Sequence, residues 1–380
     1  MSIVLEPLST ATGSPHARAT LHALRAKPAL TLAELVRRTG LSRPTLTAAL
    51  QELIDLGWAA AIEPGQAPAG HAGRSGRSVG RPARRYRFRR EAAPVVGVDV
   101  GLHKTLTVVS DLSGTVVAER RQDLPEAMTS AGRVDAVAEA VTEALALAPT
   151  GVPPLAIAIG TPGVVDRSGR IVVCPPIPEW DGIDLGGRLA DRFDCPVQVE
   201  NDVMAAAVAE RSAGAARGCD DFVYLLAGHR ISSAAVIGGR LHRGHSGAAG
   251  MVGELAAVGW PGAPARLTDY AAVAGHPSAR DVFAAAAAGE AGAVEAVDAF
   301  LDDLALGLAA VVLAIDPELV VIGGGISLAG GDVAAKLRAR IAERAHLVSP
   351  RVEISGLGNR GTALGAARLA LEHVEATLLV

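Results

Sequence analysis

The sequence is poor in cysteine. It has three cysteines, Cys174, Cys195 and Cys219, which lie far apart and show no C-x-x-C spacing. This distribution excludes a disulfide framework and a cysteine-based zinc site, and it favours a reducing compartment. We expect the three thiols to be buried as small hydrophobic groups.

A long hydrophobic run and a secretion signal are also lacking. The most apolar run, 304–315, ends at Asp316 and Pro317 and is too short to cross a bilayer. The N-terminal residues show no basic segment followed by an apolar one. These two absences predict a cytoplasmic protein with no membrane partner.

The composition is that of a folded protein with more than one domain. The chain has 380 residues, of which 49% are hydrophobic and 20% charged, enough apolar surface for two or three compact units. The net charge of −4 is unevenly distributed. Residues 1–90 hold fourteen basic and five acidic residues, about +9, which leaves about −13 for residues 91–380. The basic N-terminal part is the candidate for nucleic-acid binding.

Local signals in this N-terminal part predict short helices joined by a tight turn. A first helix is expected at 19–26. Thr31 and Glu34 form the pattern of a capping box at the start of a second one, and Gly40 suits the left-handed residue that follows it. Such an arrangement is typical of a helix-turn-helix.

The third helix carries the predicted DNA-reading surface. Ser42 is its expected cap, and Leu46, Leu50 and Leu53 repeat at helical spacing on one face. In a helix-turn-helix, the N-terminal residues of this helix lie against base edges in the major groove. The residues predicted to contact DNA from this helix are Ser42, Arg43, Thr45, Thr47 and Gln51.

Residues 57–90 are the predicted wing. One strand is expected at 57–62 and a second at 84–90, joined by a loop rich in glycine and proline. Arginines crowd this segment, and those predicted to contact DNA phosphates or the minor groove are Arg74, Arg77, Arg81, Arg84 and Arg85. Residues 1–90 are therefore interpreted as a winged helix-turn-helix domain. The alternative is a protein-docking module whose arginines are solvated.

The remainder of the chain alternates apolar strands with glycine-rich turns and helices. Strands are predicted at 95–100, 105–110, 155–159, 197–200 and 222–226, and helices at 131–146, 205–211, 293–313 and from 361 onward. The turn at 99–104 could hold a phosphate through its backbone amides and Lys104. The strand at 197–200 leads directly into Asn201 and Asp202.

Taken in order, these motifs resemble the ROK (repressor, open reading frame, kinase) family, and specifically its winged-helix transcriptional regulators. The resemblance covers roughly residues 18–375. It implies an α/β, two-lobed actin-like sugar-kinase domain at 91–380 and a homodimer or homotetramer in which a sugar or sugar phosphate modulates binding to a DNA operator. The implied first lobe is about 91–204 plus the C-terminal helix at 361–380, and the second lobe is about 205–360.

Several functional positions of the family are retained. Asp99 and Lys104, with Gly101, match the first phosphate loop. Asn201 and Asp202 match the sugar-binding pair, and Asp202 occupies the general-base position of the kinases. Glu254 matches a ligand of the sugar hydroxyls. The residues implied to bind an effector are therefore Asn201, Asp202 and Glu254.

Other family positions are changed in ways that argue against kinase activity. The second phosphate loop, glycine-rich in the kinases, is Gly-His-Arg-Ile-Ser-Ser at 228–233, and its side chains obstruct the approach of a phosphate. The zinc histidine is Ala256, and no cysteine follows it before Tyr270, which predicts a protein without zinc. A sugar-contacting asparagine is replaced by Pro176. We therefore expect neither ATP binding, nor any other cofactor, nor catalysis.

The retained residues also have structural explanations. Asp202 could cap a helix, and Lys104 could be a surface charge. Glu254 precedes the apolar residues 256–258, and a carboxylate in apolar surroundings needs a partner, either a sugar hydroxyl or an arginine.

The sequence predicts a sequence-specific DNA-binding transcriptional regulator, a repressor, with an inactive sensor domain. One alternative is an ATP-dependent sugar kinase with a DNA-binding arm. The other is a regulator whose second domain serves only to oligomerise.

Overall fold

The computed structural model describes residues 13–62, 83–125, 127–328 and 332–377 and has an α/β architecture. Its α-helices are α1 Pro15–Arg25, α2 Leu32–Thr39, α3 Arg43–Asp55, α4 Ser130–Leu147, α5 Leu185–Phe193, α6 Asp202–Ala213, α7 Ala263–Ala274, α8 Ala279–Ala287, α9 Ala291–Ile315, α10 Val333–Arg344 and α11 Gly361–Thr377. Its strands are β1 Leu30–Thr31, β2 Ala59–Ile62, β3 Arg85–Phe88, β4 Val95–Val100, β5 Lys104–Ser110, β6 Val116–Asp123, β7 Ala156–Thr161, β8 Val164–Val165, β9 Ile171–Val173, β10 Val197–Asn201, β11 Phe222–Ala227, β12 Ile231–Ile237, β13 Arg240–Leu241, β14 Leu319–Gly323 and β15 Arg351–Ile354.

The N-terminal unit is a winged helix. Helices α1, α2 and α3 pack on a three-stranded antiparallel sheet of order β1-β3-β2. The predicted capping box of Thr31 and Glu34 is present, and Gly40 is left-handed with φ 70°. Helix α1 begins at Pro15, four residues before the predicted start, because Ser14 caps it. Local hydrogen bonds therefore set all three helix starts in this unit.

The rest of the described chain contains two five-stranded sheets with the same topology. The first has the order β10-β7-β4-β5-β6 and the second the order β13-β12-β11-β14-β15. In each sheet, three consecutive strands form an antiparallel meander, a fourth strand pairs in parallel with the first strand of the meander, and a fifth pairs in parallel with the fourth. This duplication confirms the predicted two-lobed fold of the sugar-kinase type.

Helix α11 returns from the second sheet to the first. It packs against β4, β7 and α6. Two glycines permit the close approach, since a Cβ at Gly97 would overlap the Ala363 carbonyl oxygen and one at Gly365 would overlap the Ala205 carbonyl oxygen. Packing this close leaves no space for a side chain at either position.

The winged helix shares a hydrophobic cluster with α11. Leu24 and Trp58 of the winged helix belong to the same buried cluster as Leu371 and Val374 of α11. At the edge of this cluster, Arg25 forms an ion pair with Glu375. The two domains are therefore joined by a common core as well as by the chain at 89–94.

The long helix α9 organises the second lobe. Its residues Phe300, Leu304 and Leu308 are buried together with residues of α7, α8 and α10 against the second sheet. The described helices include no segment that is long and apolar enough to cross a membrane. Patterns in the sequence predicted α9 at 293–313 but gave no prediction for α5, α7, α8 and α10, which are short or begin without a strong cap.

Candidate functional site

The DNA-reading face of α3 is exposed. Arg43 stands in its first turn and, within the described part of the chain, its side chain forms no hydrogen bond or ion pair. The three predicted hydroxyl donors already have partners inside the protein: Ser42 Oγ lies 2.8 Å from Thr45 Oγ1 and accepts from the Thr45 amide, and Thr47 Oγ1 donates to the Arg43 carbonyl at 2.8 Å. Arg43 is thus the side chain on this face with the most donors left for a base edge.

The remaining predicted DNA contacts differ in their surroundings. Gln51 is exposed and donates to Asp55 Oδ1 at 2.7 Å. Arg84 is exposed, precedes β3 and has no polar partner among the described residues, and Arg85 is half-buried in β3. The three other predicted contacts, Arg74, Arg77 and Arg81, lie outside the described residues.

Three further arginines at the end of the wing have acceptors within the protein. Arg87 pairs with Glu91 at 2.6 Å, Arg89 donates to the Gly57 carbonyl at 3.1 Å, and Arg90 lies 3.4 Å from Asp111. These three arginines were not among the predicted DNA contacts, and each has a partner within the protein. Glu91 lies in the 3-10 turn after β3, Gly57 in the loop before β2 and Asp111 directly after β5. The sequence pattern did not reveal these contacts.

The second candidate site lies in the cleft between the lobes, where β10 leads into α6. Asn201 is the N-cap of α6: its Oδ1 accepts from the amides of Val203 at 3.0 Å and Met204 at 3.1 Å. Its Nδ2 donates to the Gly163 carbonyl at 2.8 Å and to Asp202 Oδ1 at 3.1 Å. The capping residue is therefore Asn201, and the explanation of Asp202 as the cap is wrong. Both amide hydrogens and both oxygen lone pairs of Asn201 have partners inside the protein.

Asp202 presents its carboxylate to the cleft. Oδ1 accepts from the Val203 amide at 2.8 Å and from Asn201, and the hydrogen bonds of the described residues leave Oδ2 without a donor. Burial, reinforced by the nearby negative charge of Asp99, raises the pKa of Asp202 from 3.8 to about 6. The group is therefore ionised at neutral pH, although its pKa lies above that of an ordinary aspartate.

The turn at 99–104, which was predicted to hold a phosphate, has charged side chains on both of its sides. Lys104 Nζ lies 3.6 Å from Asp99 Oδ2, so Lys104 is the partner of a buried carboxylate and not a simple surface charge. Burial raises the pKa of Asp99, and Lys104 opposes that rise. Behind the loop, Arg133 of α4 is fully buried and donates to the carbonyls of Gly101 at 2.7 Å and Leu102 at 2.9 Å. The sequence gave no signal for Arg133, since only the packing of α4 brings it there.

Glu254 lies at the mouth of the cleft and is solvent-exposed. Its Oε1 accepts from Arg230 Nη2 at 2.9 Å, and the side chains of Glu254 and Arg230 are 66% and 55% exposed, respectively. The expectation that Glu254 lies in apolar surroundings is wrong, because the following residues Ala256 and Ala257 are exposed as well. Of the two partners considered for this carboxylate, the structure has the arginine.

Arg230 belongs to the hairpin loop that replaces the second phosphate loop. Strand β11 ends at Ala227 and β12 begins at Ile231, so the loop is only three residues long. It is closed by a hydrogen bond from the Gly228 amide to the Arg230 carbonyl at 3.1 Å. The side chain of Arg230 extends to the cleft mouth, where it is fixed by Glu254.

A cavity of about 180 Å³ lies in the cleft between these groups. Its polar side chains are Asn201, Asp202, Ser232, Arg230 and Glu254, and its apolar ones are Pro162, Val164, Val173, Pro175, Pro176, Leu226, Ile231 and Met251. The cavity is smaller than the roughly 300–1,000 Å³ of a drug-sized binding site. It suits a single small ring.

Among the described residues, neither a metal site nor an ionised thiol is found. Over the described ranges, no three His, Cys, Asp or Glu side chains converge as a metal site would require. Cys174 and Cys219 are buried and Cys195 is half-buried. Burial raises the pKa of Cys174 to about 12 and that of Cys195 to about 11, so both thiols are protonated at neutral pH.

Comparison with known proteins matches both parts of the chain to families. Residues 95–261 and 265–373 match the ROK family, and residues 14–67 match the MarR family. The bifunctional enzyme NanE/NanK of Brucella suis is 33% identical over 300 residues, which cover 74% of this chain but only 54% of that protein. The chain thus spans about half the length of this relative.

Two further relatives match nearly the entire chain. The xylose repressor of Bacillus subtilis is 26% identical over 363 residues, covering 90% of this chain and 91% of the repressor. The crystal structure of a ROK family transcriptional regulator, a homologue of the Escherichia coli MLC protein, superposes with a TM-score of 0.69 over 96% of both chains at 20% identity. The chain therefore belongs to the ROK family and carries a MarR-type winged-helix domain at its N-terminal end.

Proposed function

We propose that this protein is a sequence-specific DNA-binding transcriptional regulator, a repressor, whose ROK domain is a catalytically silent sensor for a sugar or sugar phosphate. The observation that carries the proposal is the exposed N-terminal face of α3, where the side chain of Arg43 is unpaired among the described residues. An arginine there can bond a guanine edge through two hydrogens. The xylose repressor, which matches 90% of this chain, supports both the DNA-binding role and a sugar as effector.

The protein is expected to bind as a homodimer or homotetramer to an operator with repeated half-sites. Half-sites one helical turn apart require a fixed separation of the recognition helices. An effector that binds one lobe arrangement better than the other would change that separation by shifting the population of the two states. The shared core between α11 and the winged helix gives the sensor a direct mechanical connection to the DNA-binding unit.

A sugar kinase with a DNA-binding arm is the second candidate, and Asp202 favours it. Its carboxylate faces the cleft with a raised pKa, as a general base requires. Against it, Arg230 occupies the loop where a nucleotide phosphate would approach, and Glu254 fixes it there. We therefore expect no sugar phosphate after incubation with ATP, magnesium and a panel of hexoses. Turnover that is abolished in Asp202→Ala would favour the kinase.

DNA binding is tested directly by selecting duplexes from a random library with the full-length protein and titrating the selected sequence in mobility-shift assays. Replacing Arg84 and Arg85 by neutral residues should reduce the slope of log affinity against log salt concentration by about 0.9 for each phosphate contact that is lost. Arg87→Ala is the matched control, because Arg87 is paired with Glu91. Failure to enrich any sequence would contradict the proposal. A selected operator that no sugar releases would favour the third candidate, a ROK domain that only oligomerises.

A further inference from the structure

Two kinds of contact hold the winged helix against the first lobe. One is apolar, since Leu24 and Trp58 are buried in a single cluster with Leu371 and Val374 of α11. Burial of apolar surface attracts the two domains to each other but is non-directional. Charge-assisted hydrogen bonds have a defined geometry and are therefore better suited to set the angle between the domains.

The second contact is an ion pair between the last residue of α1 and the last turn of α11. Arg25 Nη2 donates to Glu375 Oε1, and the other carboxylate oxygen of Glu375 accepts from Arg368 Nη2 at 2.8 Å. The Arg25 guanidinium also lies 5.9 Å from the centre of the Phe88 ring in the wing strand β3, which is within the range of a cation–π interaction. The side chains of Arg25 and Glu375 are 22% and 24% exposed, so the pair is less screened than one at the open surface. Arg25 thus joins α1, the wing and α11 at one point.

Helix α11 is fixed to the first lobe at its other end. A Cβ at Gly97 would overlap the backbone of α11, and one at Gly365 would overlap the backbone of α6. Thr362 Oγ1 donates to the Asp202 carbonyl at 3.2 Å. Because packing this close leaves no space for α11 to slide or turn, the first lobe determines where Glu375 stands.

We propose that the Arg25–Glu375 pair, called the clasp below, is a positioning contact that fixes the winged helix on the first lobe, so that the two form one rigid unit. In an oligomer, the clasp then holds the recognition helices at the separation that two half-sites require. Without it, the apolar cluster and the chain at 89–94 keep the domains together, but the winged helix can turn. The consequence for DNA rests on the proposed function, whereas the clasp itself is testable without DNA.

Hydrogen exchange of the full-length protein tests the clasp in the absence of DNA. Arg25→Glu and Glu375→Arg each place like charges opposite one another. Since the stability of a helix depends mainly on its tertiary packing, backbone amides of α1 and of the last two turns of α11 should exchange about 10-fold faster in each variant. The double variant restores opposite charges and should exchange at nearly the wild-type rate.

Glu372→Arg is the matched control for charge reversal on α11. Glu372 lies one turn before Glu375 and accepts from Arg368 Nε at 3.1 Å, and its printed partner lies within α11 and not in the winged helix. This variant should leave the exchange of α1 unchanged. Unaltered exchange of α1 in both single variants, or no recovery in the double variant, would overturn the assignment. Should charge reversal prevent folding, Glu375→Gln removes the charge without repulsion and gives the same comparison.

The spacing of the half-sites provides the functional test. The selected operator is lengthened and shortened by single base pairs between its half-sites, and the affinity for each duplex is measured by mobility shift. The wild type should prefer one spacing by about 10-fold. In Glu375→Gln, the affinity for that spacing should fall and the preference should flatten, while the affinity for a single half-site stays the same.

The outcomes separate the clasp from the function on which its consequence rests. An unchanged spacing preference in Glu375→Gln, or an equal loss of affinity for a single half-site, would contradict a positioning role. If the library yields no operator, the proposed DNA-binding function fails, and hydrogen exchange still decides whether the clasp holds the two domains.

Discussion

Replacing Asp202 by asparagine should stabilise the protein at neutral pH. The carboxylate is ionised at pH 7 in a site where burial and the charge of Asp99 oppose ionisation, so its pKa is raised from 3.8 to about 6. An asparagine oxygen can accept the same hydrogen bonds that Oδ1 receives from the Val203 amide and from Asn201. The substitution therefore removes the charge while it preserves the local geometry.

The size of the effect follows from the pKa. A rise of about two pH units corresponds to a free-energy cost of at most about 3 kcal/mol at 1.36 kcal/mol per unit. Because the folded state has the higher pKa, it binds the proton more tightly than the unfolded state between pH 4 and 6. The free energy of unfolding of the wild type thus falls as the pH rises through this window and stays reduced above pH 6. In Asp202→Asn, this contribution to the pH dependence is absent.

Thermal unfolding of both proteins between pH 4 and 8 measures the difference. At about 2 °C per kcal/mol for a domain of this size, Asp202→Asn should melt up to about 6 °C higher above pH 6 and like the wild type below pH 4. Asp166→Asn is a control in which the melting temperature should change in the opposite direction. Hydrogen bonds from Ser168 and from the Arg170 amide lower the pKa of Asp166. That variant should melt lower at neutral pH. A melting difference for Asp202→Asn that is constant from pH 4 to 8 would refute the assigned environment.

Three further outcomes are expected. Arg43→Ala should weaken binding to a selected operator by roughly 1–3 kcal/mol and leave binding to unrelated DNA unchanged in mobility-shift titrations, whereas equal weakening of both would mean that Arg43 touches phosphate only. Gly365→Ala should lower the melting temperature, because the added Cβ overlaps the Ala205 carbonyl oxygen and overpacking costs about 1–3 kcal/mol. Gly356→Ala is the control and should leave the melting temperature unchanged, because the space around Gly356 is open. Metal analysis of the purified protein should find far less than one zinc per chain, and a stoichiometric amount would contradict the interpretation of the 253–270 segment.

Local signals in the sequence predicted the winged helix well. The capping box of Thr31 and Glu34, the left-handed Gly40 and the Ser42 cap all depend on hydrogen bonds within four residues, so they can be recognised from neighbouring positions. The strands β4, β7, β10 and β11 were recognisable because neighbouring apolar residues form short runs in the sequence. Helices α5, α7, α8 and α10 were missed because they are short or begin without a side-chain cap.

The partners of the functional side chains were decided by tertiary structure. The sequence identified Asn201, Asp202 and Glu254 as candidate ligand-binding groups, but not that Asn201 uses all its hydrogen bonds inside the protein or that Glu254 pairs with Arg230. Likewise, Arg87, Arg89 and Arg90 are indistinguishable in composition from Arg84, and only the fold turns them toward protein acceptors. The sequence by itself determined the two domains and their order: local patterns indicated the winged helix, and the resemblance to the ROK family implied the second domain and its chemistry. Which charges remain available for DNA or a ligand depended on contacts between residues distant in the chain, and those exist only once the lobes and the winged helix have packed.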